Sequence, residues 1–293
     1  MSPAAAANSN NLTIIVGGGP AGAACALWLH QLGCPALLLE SRKQLGGLQR
    51  YSPYENVWVP SVTGRRGQDI ADHLHDQITR SGVPLRTDMP VHEIACQEGN
   101  GFAVHTRDQS LTCGFLVLAT GARFRSGGFQ DSASVAIGPG SSIEAIDVAG
   151  KRVAVLGGGD NAFDQYVFAK ARGAKICRIF ARNLRAQKKL LAQVPQNDVV
   201  IGAYVADQDT MQVNGASFDI FSIQYGFEPV VPDGLKGLAR HPDGFVVADH
   251  WGVTNLDGLY AIGETAQTFH PCVTTSFAHG IQTAKHIQRR LGL

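Results

Sequence analysis

The sequence predicts an α/β protein built from two similar layered units. Two observations carry this. A short apolar strand, a glycine-rich turn and a helix of apolar period follow one another at residues 12–33, and the same succession returns at residues 151–173. A chain of 293 residues is also long enough for two hydrophobic cores. The apolar fraction of 44% and the charged fraction of 17% are those of a folded soluble chain. A net charge of +1 argues against bulk binding to nucleic acid or anionic lipid.

The elements follow in order. Residues 1–10 lack the basic-then-apolar order of a signal peptide and read as a disordered tail. Leu12–Val16 is a β-branched strand. Gly17, Gly19 and Gly22 form G-x-G-x-x-G, and Pro20 and Ala21 open a helix that stops at Gly33. A second apolar run ends in Glu40. In this succession Gly17 permits the tight turn, Gly19 lets backbone approach a pyrophosphate, and Gly22 lets helix and strand pack. The helix N-terminus attracts the phosphate, and Glu40 can accept from ribose hydroxyls. The unit is therefore expected to be a Rossmann-like dinucleotide-binding domain.

The second device repeats the logic. Lys151–Leu156 is the strand, and Gly157, Gly159 and Ala162 make G-x-G-x-x-A. Asp160 and Asn161 begin the helix. The next strand ends at Arg182, with Arg185 three residues on. An acid there would suit a free 2′-hydroxyl; arginine suits a 2′-phosphate, hence NADPH. Solvated surface arginines are the competing reading. The stretch from Arg185 to residues 225–229 is short, so a strand pair of this domain is expected to be missing or reduced.

Three further stretches, GGLQRYSPYEN (46–56), FLVLATGA (115–122) and DGLYAIGE (257–264), choose between dinucleotides. With them the chain resembles the low-molecular-weight thioredoxin reductase family and its ferredoxin–NADP reductase relatives, in order, from about Asn11 to the C-terminus. The resemblance implies two three-layer domains, with an NAD(P) domain (124–229, shortened) inserted into a split FAD domain (11–123 and 230–293). It implies FAD at Gly17, Gly19, Pro20, Ala21, Gly22 and Glu40. It also places FAD at Gly46, Gly47, Gln49, Asn56, Ala119, Thr120, Gly121, Gly263, Glu264, Cys272 and Val273. Glu264 stands where the family has Asp. NADPH falls to Gly157, Gly159, Asp160, Asn161, Ala162, Arg182 and Arg185. A homodimer is implied as well.

The six cysteines are scattered, with no C-x-x-C, as suits a reducing cytoplasm, and no metal site is expected. In the family a redox C-x-x-C precedes the second glycine loop. Here that place is Gly140–Ile143, and no cysteine lies between Cys113 and Cys177. A dithiol relay needs two thiols, so the chain cannot act as a thioredoxin reductase by that route. Cys272, just ahead of the last helix, is either a small filler or a redox thiol beside the flavin. His279 is a packed histidine or a proton donor. His73 and His75, two apart on a helix, do not share a face for a metal.

The resemblance then implies an FAD-dependent oxidoreductase taking hydride from NADPH. The expected acceptor is ferredoxin or flavodoxin, then a quinone or small oxidant. Two alternatives stand beside it: an FAD-binding protein without NAD(P)H turnover, in a docking or sensing role, and a flavin-dependent oxidase of a small thiol or metabolite. The longest apolar runs are too short to span a membrane.

Overall fold

The computed structural model describes residues 9–97 and 101–293. It forms two compact units. One comprises the chain up to Ala122 and from Glu228 onward; the other is Arg123–Phe227. The first begins with β1 (Thr13–Val16), α1 (Pro20–Gln31), β2 (Ala36–Leu39), α2 (Gly67–Arg80) and the two-residue β3 (Leu85–Arg86). An antiparallel meander of β4 (Val91–Cys96), β5 (Phe102–Thr106) and β6 (Ser110–Cys113) leads into β7 (Phe115–Leu118). The crossing strand β8 (Ala122–Phe124) precedes β9 (Val135–Ile137), α3 (Ser141–Glu144), β10 (Arg152–Leu156), α4 (Asp160–Ala171) and β11 (Ile176–Ala181). Then come α5 (Lys188–Leu191), β12 (Val199–Ile201) and a second meander of β13 (Ala206–Asp207), β14 (Gln212–Val213) and β15 (Ala216–Ser217). The second unit closes with β16 (Ile220–Ile223). The return strand β17 (Phe227–Pro229) is followed by β18 (Leu259–Ala261) and α6 (Val273–Arg290).

Each unit holds a five-stranded parallel sheet, ordered β18-β7-β1-β2-β3 in the first and β12-β11-β10-β16-β9 in the second. The strands read as continuous apolar runs because both faces are covered. In the first unit Ile15, Leu38, Val117 and Tyr260 pack on α1, α2 and α6. Their neighbours Ile14, Leu39, Leu116 and Leu259 pack on the meander residues Ile94, Phe102 and Val104. The period of two sends alternate side chains to opposite faces. The second unit repeats this plan, with Val153, Val155 and Ile179 against α4 and Ala154, Leu156 and Phe221 against Val213 and Phe218 of the meander. The third layer is thus an antiparallel meander in both units. Each side chain fully buried in these layers contributes on the order of 1.5–3 kcal/mol.

One expectation is corrected, and a second resolves to one of its two alternatives. Ser9 and Asn10, assigned to the tail, belong to a 3-10 turn, Ser9–Asn11. Gly114 packs on the Asn10 carbonyl so closely that a Cβ there would stand 1.9 Å from its oxygen. Residues 1–8 of the expected tail lie outside the described residues. In the second unit the strands after Arg185 are reduced rather than missing: β13, β14 and β15 keep two residues each.

Candidate cofactor sites

In the first unit the expected residues gather at the C-terminal edge of the parallel sheet, where β1, β2, β7 and β18 end, the usual ligand edge of an open α/β sheet. Gly17 (φ 106°) turns beneath the Ala119 carbonyl; a Cβ there would meet its oxygen at 2.3 Å. Gly22 packs on the Gly17 carbonyl, where a Cβ would stand 1.9 Å away, and this closes helix onto strand. Gly19 is different. Its φ of −69° and ψ of −178° are open to any residue, and its missing Cβ would find nothing nearer than the Gly47 Cα at 3.7 Å. Gly19 is the N-cap of α1 and supplies no side-chain cap, with Pro20 following at the first helical position. The first-turn N–H groups of Ala21 and Gly22 are thereby left for an anion.

Gly46 and Gly47 form a second glycine turn against the first. Gly46 N–H donates to the Gly18 carbonyl at 2.9 Å, and a Cβ on Gly47 would lie 3.1 Å from the Gly19 Cα. Arg50 fixes this turn to α2. Its guanidinium donates to the Leu45 carbonyl at 2.9 and 2.7 Å and pairs with Asp72 at 2.6 Å. Gln49 Oε1 accepts from Asn56 Nδ2 at 3.3 Å, so those two expected residues engage each other. Glu40 is 7% exposed. Its carboxylate accepts from Gly18 N–H at 2.7 Å, Arg42 N–H at 2.9 Å and the Ser41 hydroxyl at 3.1 Å. It is first a clamp on the glycine loop.

Beyond β7, Ala119 N–H donates to the Val16 carbonyl at 2.8 Å. The Thr120 hydroxyl bonds the Val230 carbonyl, and Gly121 N–H donates to the buried Thr265 Oγ1 at 2.7 Å. After β18, Gly263 (φ 62°) approaches α1, its missing Cβ 2.8 Å from the Ala21 Cβ. Burial raises the Glu264 carboxyl above its ordinary value.

Helix α6 lies on α1 because Gly280 has no side chain; a Cβ would reach the Ala21 carbonyl oxygen at 2.2 Å. The preceding residue, His279, is 1% exposed. Its Nδ1 accepts from Gly263 N–H at 3.2 Å, and its ring meets Phe269 edge-on at 5.2 Å. Burial lowers the imidazole to about 4, against the opposing pull of Asp249 and with a small contribution from His250. The ring is therefore neutral at pH 7, and the Gly263 bond assigns its proton to Nε2. Nε2 is buried without a partner among the described residues and lines a small cleft with Phe269, Pro271, Thr275 and Ser276. A buried donor left unpaired costs about 1–3 kcal/mol, so a ligand acceptor there would relieve a real cost.

Cys272 is half-buried and is the N-cap of α6. Its sulfur accepts from Thr275 N–H at 3.4 Å, while Thr275 Oγ1 accepts from Cys272 N–H at 3.2 Å. Partial burial works to raise the thiol. Hydrogen bonds from the Thr275 hydroxyl and from the Thr275 and Thr274 N–H groups outweigh it and hold the thiol below its ordinary value. The sulfur thus takes up N–H capacity of α6 that sequence reasoning left free for a ligand. Val273, next in the helix, is buried.

In the second unit the loop geometry repeats. Gly157 (φ 149°) turns beneath the Gln224 carbonyl, with a missing Cβ 2.3 Å from its oxygen. Gly158 lies under Asn183, where a Cβ would stand 2.0 Å from the carbonyl oxygen. Gly159, at φ −95° and ψ −178°, has nothing within 4 Å of its missing Cβ and caps α4 without a side chain. Ala162 is buried, and its N–H donates to the Gly159 carbonyl at 3.0 Å. Arg182 and Arg185 are exposed at the end of β11. Asp160 accepts from Gln187, and Asn161 follows it in the first turn. The Gly140–Ile143 position, where the family carries its dithiol, forms α3 capped by Gly140.

Sequence reasoning passed over Gly18, Gly158, Arg50, Thr265 and Gln187. The signal for the two glycines was present: each turn has three consecutive glycines, and the middle one is crowded in both, Gly18 by Leu45 at 2.3 Å. His75, weighed in the sequence as a metal ligand, accepts from Leu45 N–H at 3.4 Å. Among the described residues no group of three or more His, Cys, Asp or Glu is placed to hold a metal ion. Nor is any helix among them long and apolar enough to cross a membrane.

Two crowded glycines, one open glycine and an uncapped helix, present twice, define a protein with two anion-receptive α/β units. Residues 11–289 match the family model of pyridine nucleotide-disulphide oxidoreductases, and the chain belongs to that family of oxidoreductase enzymes. It is 27% identical over 285 residues to a ferredoxin–NADP reductase of Limosilactobacillus fermentum, covering 85% of this chain and 84% of that one. It is 24% identical over 302 residues to a bifunctional thioredoxin reductase/thioredoxin of Mycobacterium leprae, covering 95% of this chain and 65% of that longer protein. The fold is that of the Lactococcus lactis thioredoxin reductase, with a TM-score of 0.79 at 21% identity over 96% of this chain and 98% of the other. Membership of the family implies FAD and NADPH as cofactors.

Proposed function

We propose that the protein is an FAD-dependent oxidoreductase that takes hydride from NADPH and passes electrons to an acceptor other than a protein disulfide. The observation that carries this is the duplicated loop: Gly19 and Gly159 each leave open space before an uncapped helix. Bound FAD would supply the hydride-accepting and one-electron chemistry that no side chain of this chain can. The residues supply position and electrostatics. The α1 N-terminus and Gly19 receive the pyrophosphate, and Glu40, already tied to Gly18, keeps acceptor capacity for a ribose hydroxyl. Neutral His279 donates from Nε2 to an acceptor on the ribityl or phosphate portion. In the second unit α4 receives the NADPH pyrophosphate, and Arg182 and Arg185 take the 2′-phosphate.

The missing dithiol steers the acceptor away from disulfides. The relative named a ferredoxin–NADP reductase supports a ferredoxin-type protein as first partner; flavodoxin, a quinone or a small oxidant come next. We propose a homodimer working in the cytoplasm. The test is anaerobic: add NADPH or NADH to the purified yellow protein and follow the oxidised-flavin absorbance. Fast bleaching by NADPH and slow bleaching by NADH is expected. Equal, slow responses to both would overturn NADPH as donor and leave an FAD protein in a docking or sensing role.

A further inference from the structure

Residues 182–187 leave β11 and fold back across the start of α4. Three hydrogen bonds fix that path. Arg185 N–H donates to the Gly158 carbonyl at 2.7 Å. Gln187 N–H donates to Asp160 Oδ1 at 2.8 Å, and the Gln187 side-chain amide donates to Asp160 Oδ2 at 2.8 Å. Gly158 permits the approach, because a Cβ there would stand 2.0 Å from the Asn183 carbonyl oxygen.

Asp160 is an awkward residue for this place. It sits in the first turn of α4, where the helix dipole draws an anion and a carboxylate repels one. Gln187 engages both of its oxygens. That turns the carboxylate toward the loop and disperses its charge over two donors. The same two bonds anchor the chain two residues beyond Arg185. The Arg185 side chain is exposed, so the loop path alone aims it.

We propose that Asp160 and Gln187 form a clasp that positions Arg185 for the 2′-phosphate, so that the clasp, and not the arginine alone, sets a preference for NADPH over NADH. This rests on the reading of the second unit as the NADPH site. The 2′-phosphate is the one group by which the two nucleotides differ. A displaced loop therefore acts on one nucleotide and spares the other. Asp160 and Gln187 are positioning residues in this account.

The test uses full-length, FAD-loaded protein and the oxidised nucleotides, NADP+ and NAD+, which bind without turnover. Calorimetric titration gives both dissociation constants. Gln187→Ala removes the side-chain bond and keeps the backbone N–H bond to Asp160; it is expected to weaken NADP+ up to about tenfold, the value of one charge-assisted bond, with NAD+ changed less than about twofold. Gln187→Glu sets two carboxylates together and should weaken NADP+ further. Asp160→Asn keeps an acceptor for the Gln187 N–H and an amide partner for its side chain, so it should lose less of the NADP+ to NAD+ ratio than Gln187→Ala, while the removed charge acts on both nucleotides alike. The clasp is refuted if Gln187→Ala and Gln187→Glu both leave the NADP+ to NAD+ ratio within about twofold of wild type. Loss of selectivity in Asp160→Asn as large as in Gln187→Ala would refute it equally. Should Gln187→Glu fail to fold, Gln187→Ala decides. Arg185→Ala separates the two levels: unchanged NADP+ affinity there overturns the phosphate assignment itself, and wild-type protein that binds neither nucleotide overturns both.

Discussion

Lowering the pH from 7 to 5 should weaken the first unit, and His279 carries a share of that loss that one substitution isolates. His279 is held neutral by burial, its imidazole lowered from 6.5 to about 4. The unfolded chain therefore binds a proton at pH 5 that the folded chain refuses. Stability rises with pH wherever the unfolded state binds more protons, so this contribution is present above the ordinary histidine range and is lost as the pH falls from about 6.5 toward 4. Integrating the two titrations from pH 7 to pH 5 gives a loss of about 1.8 kcal/mol. Glu264 works in the opposite direction. Burial raises its carboxyl, so the folded state takes up a proton first on acidification. Burial also lowers His286, which acts in the same direction as His279. A comparison with His279→Gln cancels both effects, because Glu264 and His286 are common to the two proteins. All three tryptophans, Trp28, Trp58 and Trp251, lie in the first unit, so denaturant titrations of FAD-depleted protein followed by tryptophan fluorescence report on it. Wild type should lose about 2 kcal/mol more than His279→Gln between pH 7 and pH 5, equivalent to about 4–8 °C in melting temperature. Parallel losses in the two proteins would refute the claim that the neutral imidazole is held there by burial.

The two glycines of the second loop should separate packing from binding. Gly158→Ala meets the Asn183 carbonyl at 2.0 Å and should lower the melting temperature of the second unit, whereas Gly159→Ala meets nothing and should leave the melting temperature unchanged while weakening NADP+ in the same calorimetric titration. Cys272 should be alkylated by iodoacetamide well ahead of Cys25, Cys113 and Cys177, since hydrogen bonds lower its thiol while burial drives theirs up. Peptide mass spectrometry after timed labelling reads this directly, and equal labelling of all four would contradict it.

Much of the fold was legible because it is local and periodic. The strands that run up to Glu40 and Arg182, the helix starts at Pro20 and Asp160, and the stop near Gly33 all follow from short patterns. What was hidden depends on partners distant in sequence. Nothing in ADHLHDQ says that His75 accepts from Leu45, and nothing near position 50 says that an arginine will hold the Leu45 carbonyl and Asp72 together. The third layer was equally hidden. In the second unit, meander strands of two residues carry too little pattern to be seen, and they are recognised only by what they cover, Phe221 and Leu156. At Cys272 the sequence offered a filler or a reactive thiol. The structure adds a third role, the helix cap, which depends on Thr275 three residues on.

The helix caps also bear on why one chain carries two glycine turns. Helix α6 begins with a reciprocal capping pair, Cys272 with Thr275, and at the start of α2 the Asp69 carboxylate accepts from Arg66 N–H at 2.8 Å. Helices α1 and α4 begin with Gly19 and Gly159, whose extended backbones any residue could adopt and where serine or aspartate would cap better. A fold seeking only stability would gain on the order of a few tenths of a kcal/mol at each by accepting a capping side chain in place of glycine. Nothing inside the protein crowds either position; the nearest atom to a Gly19 Cβ is 3.7 Å away, and Gly159 has none within 4 Å. Both helices thus forgo a cap in the one place where a cap would stand between the N–H donors and an incoming phosphate. Steric need explains Gly17, Gly22, Gly157 and Gly158 without any ligand. It does not explain Gly19 or Gly159, and the physical account that covers both is an anion seated on each helix.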